Sequence, residues 1–265
     1  MRPEGLRCGR SRISLGKRIR SSPSFECHGV QPNWDDYPAP VKEALLKADE
    51  IFYPSLLYED LFRCLGKKTY PGNYYAFIGN KIRQTNLFQL LEIPHPRTRV
   101  YYGRSRPDRI SADFAYPFVA KAPVGSSMGQ GVFLIQCEAD LASYLKSYHP
   151  AYIQEYLPLD RDLRVVLIKG RVIHAYWRIH QPGEFRNNVS QGGRISFECI
   201  PEGALDFATD VAGRCGFEEV GLDICRANGI YYVIEANMVF GLEGFSQQGL
   251  DLYEILSTLE KQGLL

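Results

Sequence analysis

Apolar residues recur along the chain at two spacings, one typical of helices and the other of strands. The helical spacing predicts helices over residues 41–48, 56–65, 80–91, 141–148, 204–215 and 250–261. Short apolar or alternating runs predict strands over residues 51–53, 118–121, 132–136, 152–156, 163–168, 172–179, 220–225 and 230–235. Residues 21–40 are rich in Ser, Pro and Asn and are expected to form a loop. Strands that follow one another as hairpins, with helices between them, indicate an α+β fold with mixed sheets rather than a doubly wound parallel sheet.

Composition places the chain among ordinary globular proteins. Its 265 residues are 45% hydrophobic and 23% charged, which excludes a disordered chain. The net charge of +1 gives no general reason to expect a nucleic-acid or membrane partner. No apolar run approaches the ~18 residues of a membrane span, and we expect no secretory signal. The seven cysteines include no C-x-x-C pair, so we expect free thiols and a cytoplasmic protein rather than a disulfide framework or a zinc site.

The first twenty residues carry a local excess of positive charge. Only Glu4 opposes seven basic residues, which are Arg2, Arg7, Arg10, Arg12, Lys17, Arg18 and Arg20. Such an arm can bind RNA or an acidic partner, or it can be a poorly ordered terminus that its charge keeps solvated. No aromatic residue lies among the basic ones, which favours the second interpretation.

A glycine-rich loop separates two of the predicted strands. It contains three glycines and two serines, at Gly125, Ser126, Ser127, Gly129 and Gly131. Backbone N–H groups in such a loop can turn toward one anion. No Gly-Lys-Ser/Thr follows, as a Walker A loop would require, and the next element is a strand rather than the helix of a dinucleotide-binding loop. Taken alone, an ordinary glycine turn is the commoner interpretation; Lys121, on the incoming strand, makes a phosphate-covering flap more plausible.

Three oxygen-bearing side chains near the C-terminal end could share one sheet face. Glu235 and Asn237 are two residues apart on a strand and therefore point the same way. Two carboxylates and an amide oxygen suit Mg²⁺, and the alternative is a solvated strand face, in which Asp223 would be a poor choice.

Whether Asp223 joins that face depends on the length of the hairpin loop. A two-residue turn at 228–229 would pair Asp223 with Ile234 and point it to the opposite face. A three-residue loop at 227–229 would pair it with Val233, diagonal to Glu235 on the same face, with Gly229 in the left-handed conformation. The three-residue loop is therefore the expected one.

Six segments, in order along the chain, resemble the ATP-grasp superfamily, and within it the RimK-like amino-acid ligases. They are Lys81 followed by a helix and residues 93–98, residues 117–121 with the glycine loop, residues 154–157, Asp162-Leu163-Arg164, residues 183–193, and residues 221–224 with 235–244. The resemblance covers about residues 75–262. It departs from the family pattern at Phe240, where a proline is usual, and in an N-terminal region that is shorter than the family's preceding domain.

The resemblance implies an α+β ATP-grasp fold, in which two subdomains with mixed or antiparallel sheets clamp ATP. Residues 76–265 would form this domain, with a flap subdomain at about 113–156 and a metal-binding subdomain at about 157–262, after a short N-terminal region at 1–75. It also implies an ATP-dependent carboxylate–amine ligase that uses ATP and Mg²⁺ or Mn²⁺. ATP would convert a carboxylate into an acyl phosphate, which an amine, expected to be an amino acid, would attack to form an amide.

The resemblance further implies a role for each site residue. Phosphates would be held by Lys81 and Lys121 beneath the flap residues Gly125, Ser126, Ser127, Gly129 and Gly131. Adenine would meet backbone groups of Gln154, Glu155, Tyr156 and Leu157, and ribose would meet Asp162. Arg186 and Asn188 would lie near the γ-phosphate, with Arg178 and Arg186 as catalytic residues and with Asp223, Glu235 and Asn237 as metal ligands.

Two other functions stay open on the sequence. The chain could be an ATP-binding interaction module without turnover, although intact lysines and metal residues count against this. It could also be a nucleic-acid or ribosome partner that uses its basic arm, with ATP as a regulator. The identity of the carboxylate acceptor and any homo-oligomer also stay open.

Overall fold

The computed structural model describes residues 12–104, 106–125, 131–179 and 194–265, which divide between two units. The helices are α1 (Ala39–Lys47), α2 (Ser55–Cys64), α3 (Lys81–Leu90), α4 (Arg106–Asp113), α5 (Glu138–Ser147), α6 (Glu202–Cys215), α7 (Glu243–Gln247) and α8 (Leu252–Lys261). The strands are β1 (Arg12–Ser14), β2 (Phe25–Cys27), β3 (Glu50–Phe52), β4 (Lys68–Tyr70), β5 (Thr98–Tyr101), β6 (Phe118–Lys121), β7 (Val132–Ile135), β8 (Ala151–Glu155), β9 (Arg161–Ile168), β10 (Arg171–Ile179), β11 (Arg194–Ser196), β12 (Glu219–Ala227) and β13 (Ile230–Asn237). None of the described helices is both long and apolar enough to cross a membrane.

The first unit comprises the chain up to Tyr75 together with residues 248–265. Its sheet is parallel, with strand order β2-β1-β3-β4, so each connection must cross over, and α1 and α2 supply two of the crossovers. Leu15, Leu45, Ile51 and Phe62 are fully buried or nearly so in the core between sheet and helices. Residues 248–265 thus belong to a different unit from the one in which the sequence-based boundary placed them.

Residues 1–11 of the basic N-terminal segment lie outside the described residues, and residues 12–20 differ from the solvated arm that the sequence predicts. Arg12 lies in β1, an inner strand, with its guanidinium over the rings of Phe25 and Phe52 and bonded to the carbonyl of Leu265 at 2.6 Å. The expectation of a poorly ordered terminus is therefore wrong for residues 12–20. The loop predicted at 21–40 also contains β2, whose three residues are too few to show an alternating pattern.

The second unit, residues 76–247, consists of two antiparallel sheets with helices. One sheet has the order β5-β8-β6-β7, and α4 and α5 cover its core of Tyr101, Phe118 and Ile153. The other has the order β11-β10-β9-β12-β13 and packs against α6 and α7. Layers of sheet and helix with hairpin connections confirm the predicted α+β class.

The hairpin between β12 and β13 does not turn as the sequence predicts. Ala227 pairs with Ile230, so the connection is the two-residue Asn228-Gly229 turn, with φ of 51° and 80°. Both residues of a type I′ turn have positive φ, and Asn-Gly is the pair most suited to it. The three-residue loop expected above is therefore wrong, and the register is corrected elsewhere in the hairpin.

Candidate functional site

Two lysines from different elements converge because backbone hydrogen bonds join the segments that carry them. Lys81 is the first residue of α3, and Lys121 is the last residue of β6. The amide of Lys81 donates to the carbonyl of Pro123 at 3.1 Å, and the amide of Gly125 donates to the carbonyl of Gly79 at 3.1 Å. Both lysines are buried, with 4% and 5% of their surface exposed. The start of the helix and the entry to the glycine loop therefore lie side by side.

The charge of Lys121 is unusually easy to remove. Its pKa is lowered to about 8 from an ordinary 10.5, mainly by burial; Glu235 and Asp223 oppose this change, and the positive charge of Lys81 adds to it. A buried ammonium group disfavours its own charge unless nearby anions compensate for the lost water. An anion bound beside Lys121 would reverse this effect.

A bulge in β13 places the predicted metal residues on one face. Ile224 pairs with Val233 but Asp223 pairs with Glu235, so Ile234 is an extra residue without a partner on β12. The bulge restores the parity that the two-residue turn would have lost. Asp223 and Glu235 are consequently direct cross-strand neighbours rather than the diagonal pair that the sequence predicts.

Glu235 is the carboxylate that meets a lysine. Lys81 Nζ lies 2.8 Å from Glu235 Oε1, and 23% of the glutamate side chain is exposed. Gln84, one turn along α3, fixes the spacing because its Nε2 donates to the carbonyl of Ala236 at 2.7 Å and its Oε1 accepts from the amide of Ala236 at 3.2 Å. This amide clamp joins α3 to β13 between the two side chains Glu235 and Asn237.

Asp223 is held by arginines on the neighbouring strands. Arg164 lies directly across from it on β9 and donates through both Nε and Nη2, the latter at 3.1 Å. Arg178 Nη2 lies 2.8 Å from Asp223 Oδ2, and Asn237 Nδ2 donates to the same oxygen at 3.2 Å. Burial alone would raise the pKa of Asp223, but the two guanidinium groups outweigh it and hold the pKa below its usual value.

Arg178 links Asp223 to a second carboxylate. Its Nε and Nη2 donate to the two oxygens of Asp162 at 2.7 and 2.8 Å, a bidentate pair in which the aspartate side chain is 4% exposed. Burial would lower the pKa of Arg178, but Asp162 and Asp223 raise it well above the ordinary value. Asp162 thus faces a guanidinium group in this structure, rather than an open surface where ribose hydroxyls could reach it.

Charge pairing compensates the two neighbouring carboxylates in the site without metal. Side chains such as Asp223 and Glu235 are expected to repel one another unless a cation lies close to them. Here, Glu235 is paired with Lys81, and Asp223 is paired with Arg164 and Arg178. The expected repulsion is therefore already compensated by cations of the protein itself.

The residues present fit a hard cation in part. Glu235 has an exposed carboxylate edge, and Asn237, whose Nδ2 faces Asp223, directs its Oδ1 elsewhere. Asp223 already accepts from four donors, so it would become a ligand only if one of them moved away. Within the described ranges, no group of three or more His, Cys, Asp or Glu side chains could hold a metal ion. The ligands available to a cation are thus the carboxylate of Glu235 and the amide oxygen of Asn237, and Asp223 becomes available only after it loses a donor.

The predicted adenine segment ends a buried strand. Gln154 donates from Nε2 to Thr98 Oγ1 at 2.9 Å, and the amide of Glu155 donates to the carbonyl of Arg97 at 2.9 Å. These groups are committed to the sheet. Tyr156 and Leu157 lie beyond the end of β8, outside this pairing.

Some predicted residues are not described, and others were missed. Ser126, Ser127, Gly129, Arg186 and Asn188 lie outside the described residues, whereas Gly125 and Gly131 flank the loop with φ of 71° and 80°.

Sequence reasoning did not assign Arg164 or Gln84 to the site. A signal existed for Arg164, because the alternation in Asp162-Leu163-Arg164 places both charges on one face. Gly221 also marks the place: a Cβ there would lie 3.2 Å from Arg164 Cδ and 2.9 Å from Cβ of Phe240, the residue that takes the position of the usual proline.

Comparison with known families and proteins agrees with this arrangement. The model of the RimK-like ATP-grasp domain matches residues 78–258. The chain is 31% identical over 176 residues to beta-citrylglutamate synthase B of Danio rerio, covering 62% of this chain and 43% of that protein. It is 29% identical over 202 residues to the ribosomal protein bS6–L-glutamate ligase of Escherichia fergusonii, covering 72% and 66%. The chain therefore spans less than two thirds of the length of these curated relatives.

Solved structures share the fold at low sequence identity. The RimK domain ATP-grasp protein of Sphaerobacter thermophilus superposes with a TM-score of 0.66 at 16% identity, over 94% of this chain and 98% of that one. The D-alanine–D-alanine ligase of Bacillus anthracis complexed with ATP gives 0.64 at 13% identity, over 95% and 96%. The ligase PsnB, complexed with a precursor variant, Mg and ADP, gives 0.60 at 21% identity, over 82% and 79%. At such identities the likeness is one of fold.

Proposed function

Because the chain belongs to the RimK-like ATP-grasp family, we propose that it is an ATP-dependent carboxylate–amine ligase. ATP phosphorylates a carboxylate, and an amine then displaces the phosphate to give an amide, ADP and inorganic phosphate. In the first step the bond between the γ-phosphorus and the β,γ-bridging oxygen breaks, and a bond forms between the γ-phosphorus and a carboxylate oxygen, which releases ADP. In the second step the amine nitrogen bonds to the acyl carbon and loses a proton, while the acyl carbon–oxygen bond breaks and releases inorganic phosphate.

The observation that carries this proposal is the meeting of four cations around three carboxylates, which leaves one positive charge in excess. Lys81, Lys121, Arg164 and Arg178 stand against Glu235, Asp223 and Asp162. Phosphorylating a carboxylate brings two anions together, which costs about 4 kcal/mol per pair of unit charges at 4 Å when the effective dielectric constant is near 20. A preorganised set of buried cations offsets that cost without having to reorganise.

Within this scheme, the two lysines bind phosphate oxygens, while Arg164 and Arg178 hold Asp223 in place on the sheet beneath them. Lys121 gains its full charge when the nucleotide arrives. Asp162 keeps Arg178 in one orientation, from which the guanidinium group can face an acyl phosphate or a substrate carboxylate. We therefore propose Asp162 as the residue that positions Arg178, in place of the ribose contact implied by the family resemblance.

Glu235 and Asn237 would hold Mg²⁺, and Asp223 would join them after releasing a donor. The ion would neutralise phosphate charge and orient the transferred group. Arg186 and Asn188 keep their proposed places near the γ-phosphate. Lys121 and the glycine-rich flap also keep their proposed roles, in which the lysine binds the phosphates and the flap covers them.

The names of the relatives suggest where to look for substrates. Three matching proteins are named as glutamate ligases or as a synthase of a glutamate conjugate. We propose an amino acid as the amine donor, with glutamate as the first to test. The acceptor is a carboxylate on a metabolite, a peptide or a protein.

An ADP-release screen tests the proposal. Purified full-length chain is mixed with ATP, Mg²⁺ and each of the amino acids, against a panel of small carboxylates and peptides with free C-termini. ADP release that requires both an amine and a carboxylate, with the ligated product seen by mass spectrometry, supports the ligase. Lys121→Met should remove it, and Lys169→Met, at a paired lysine in a hairpin turn, should not. Nucleotide binding with no ADP release in any combination would instead favour the interaction module.

A further inference from the structure

A groove outside the site described above runs between α3 and β5. It encloses about 260 Å³. Thr85, Asn86 and Gln89 line it from α3, and Thr98, Arg99 and Val100 line it from β5. Amide and hydroxyl groups thus form one wall, and three consecutive strand residues form the other.

The strand wall exposes main chain rather than one set of side chains. Successive side chains of a strand point to opposite faces, so three consecutive residues can line one groove only if it follows the strand edge. β5 is the outer strand of its sheet, with β8 on its other side. The groove therefore lies where a further strand would pair.

The hydrogen-bond ladder shows which residues of β5 point outward. The amide of Glu155 donates to the carbonyl of Arg97, so residues 97, 99 and 101 bond toward β8 and residues 98 and 100 point away. In agreement, the carbonyl of Thr98 accepts from Gln89 Nε2 across the groove at 3.2 Å. The N–H and C=O of Val100 have the same outward direction.

The segments that form the groove and follow β5 are rich in basic residues, although the whole chain is nearly neutral. Residues 97–109 contain five arginines and one carboxylate, Asp108, and α3 contains Lys81 and Arg83 with no acidic residue. Arg99, with 52% of its side chain exposed, is the charged residue of the lining, which contains no carboxylate. Its partner Asp113 lies on α4 at 2.8 Å. An acidic ligand would be attracted here, and a basic one repelled.

We propose that this groove binds an extended acidic peptide segment, which adds to β5 as a fifth strand of the sheet. A strand is the ligand whose main-chain groups match a sheet edge, and the peptide would replace Gln89 as the partner of the Thr98 carbonyl. The edge has none of the proline or lysine that commonly blocks such pairing, since its residues are Thr, Arg, Val and Tyr. Exposed Tyr102, 55% accessible at the end of β5, offers a flat surface for an apolar side chain of the peptide.

A second copy of the same edge is a poorer partner. Two β5 strands paired antiparallel across a two-fold axis at Val100 would bring two arginine-rich segments together, with both Arg99 side chains on the same face. Like charges close together destabilise such a pair. An acidic segment of a different sequence meets the same main-chain pattern without that repulsion.

A short fluorescein-labelled peptide in which Glu and Val alternate is the probe, and fluorescence anisotropy with the full-length chain is the assay. Asn86→Trp fills the groove from an exposed position of α3, while Leu90→Trp adds the same ring at a position of α3 that is 81% exposed and does not line the groove. We expect binding below about 1 mM, weakened at least about tenfold by Asn86→Trp and unchanged by Leu90→Trp. Hydrogen exchange at the amide of Val100 should slow when the peptide binds.

Two further peptides separate main-chain pairing from general attraction. A version methylated on every backbone nitrogen cannot donate to β5 from either edge and should not bind, and a version with Lys for Glu should bind at least about tenfold more weakly. The proposal is overturned if the acidic peptide does not bind, if methylation leaves its affinity unchanged, or if Asn86→Trp has no effect. It is also overturned if the chain forms a dimer that Asn86→Trp dissociates. No nucleotide is needed, so this result and that of the ligase screen are independent.

Discussion

Nucleotide binding should bring a proton onto Lys121 at alkaline pH. Its pKa is about 8 in the protein without ligand, against an ordinary 10.5. A phosphate group beside the ammonium supplies the negative charge that burial denies it, and we expect the pKa to return at least to its ordinary value. The protonated fraction at pH 9 would then rise from ~0.1 to ~0.97, an uptake of ~0.9 protons per nucleotide bound, whereas at pH 7 the uptake would be ~0.1.

Titration calorimetry measures this uptake directly. Binding of a non-hydrolysable ATP analogue is followed in two buffers that differ in ionisation enthalpy, at pH 7 and at pH 9, and the difference in heat gives the number of protons. At pH 9 the nucleotide phosphates are already ionised, so a gained proton must go to the protein. Lys121→Met should abolish the extra uptake at pH 9, and Lys169→Met should preserve it. Equal uptake at both pH values, or uptake retained by Lys121→Met, would refute the argument from burial.

The lowered pKa of Lys121 also determines how the free energy of unfolding changes with pH. Between pH 8 and 10.5 the unfolded chain binds more protons at this lysine than the folded chain does, so Lys121 makes the free energy of unfolding rise with pH in that window. Below pH 8 its burial cost is fully present. Lys121→Met should therefore be more stable than the wild type at pH 7, and the difference should shrink as pH rises above 8. Urea unfolding at several pH values measures it.

Three other substitutions test the site and the N-terminal unit. Asp223→Ala leaves the buried Arg164 without its carboxylate, so the free energy of unfolding measured by urea titration should fall by about 3–5 kcal/mol. Asp223→Asn should lose less. If Asp223→Ala unfolds at the wild-type urea midpoint, the network contributes nothing to stability. Glu235→Gln should lose most ADP release and should destabilise the protein modestly, because buried Lys81 loses its charged partner, while normal turnover would count strongly against the ligase. Removal of residues 1–20 deletes the inner strand β1, so circular dichroism should show a lower melting temperature, and an unchanged one would contradict the parallel sheet described here.

Local sequence was enough wherever a signal lies within a few residues. Phe118–Lys121 forms a strand with the predicted bounds, and α3 lies within the predicted helix 80–91, where Asn80 caps it by accepting from the amide of Arg83 at 3.0 Å. Turn residues, capping side chains and alternating runs act through neighbours in the chain, so they can be read directly. The order of six short motifs also identified the family, since each motif is local and only their sequence was needed.

Most of the described three-residue strands were beyond the reach of pattern, although β3 was predicted at residues 51–53. β1, β2 and β4 each contain three residues, too few for a period of two to stand out from chance. Their parallel order comes from burial of Ile13 and Ile51 beneath α1 and α2, contacts that link distant parts of the chain. The place of α8 is likewise set by Ser22 and Ser24, whose hydroxyls donate to Glu260 at 3.0 and 2.6 Å.

The candidate site shows the division most clearly. The sequence alone proposed which residues carry its chemistry, because Lys121, Asp223, Glu235 and Asn237 stand in recognisable motifs. The tertiary structure decided which atoms meet. A single extra residue, Ile234, turns Asp223 to the face of Glu235, and that position places Asp223 opposite Arg164 on the next strand. The register between strands depends on the packing of whole sheet faces and on a bulge that the local sequence pattern does not predict. The pairing of charges could therefore be known only from the assembled sheet.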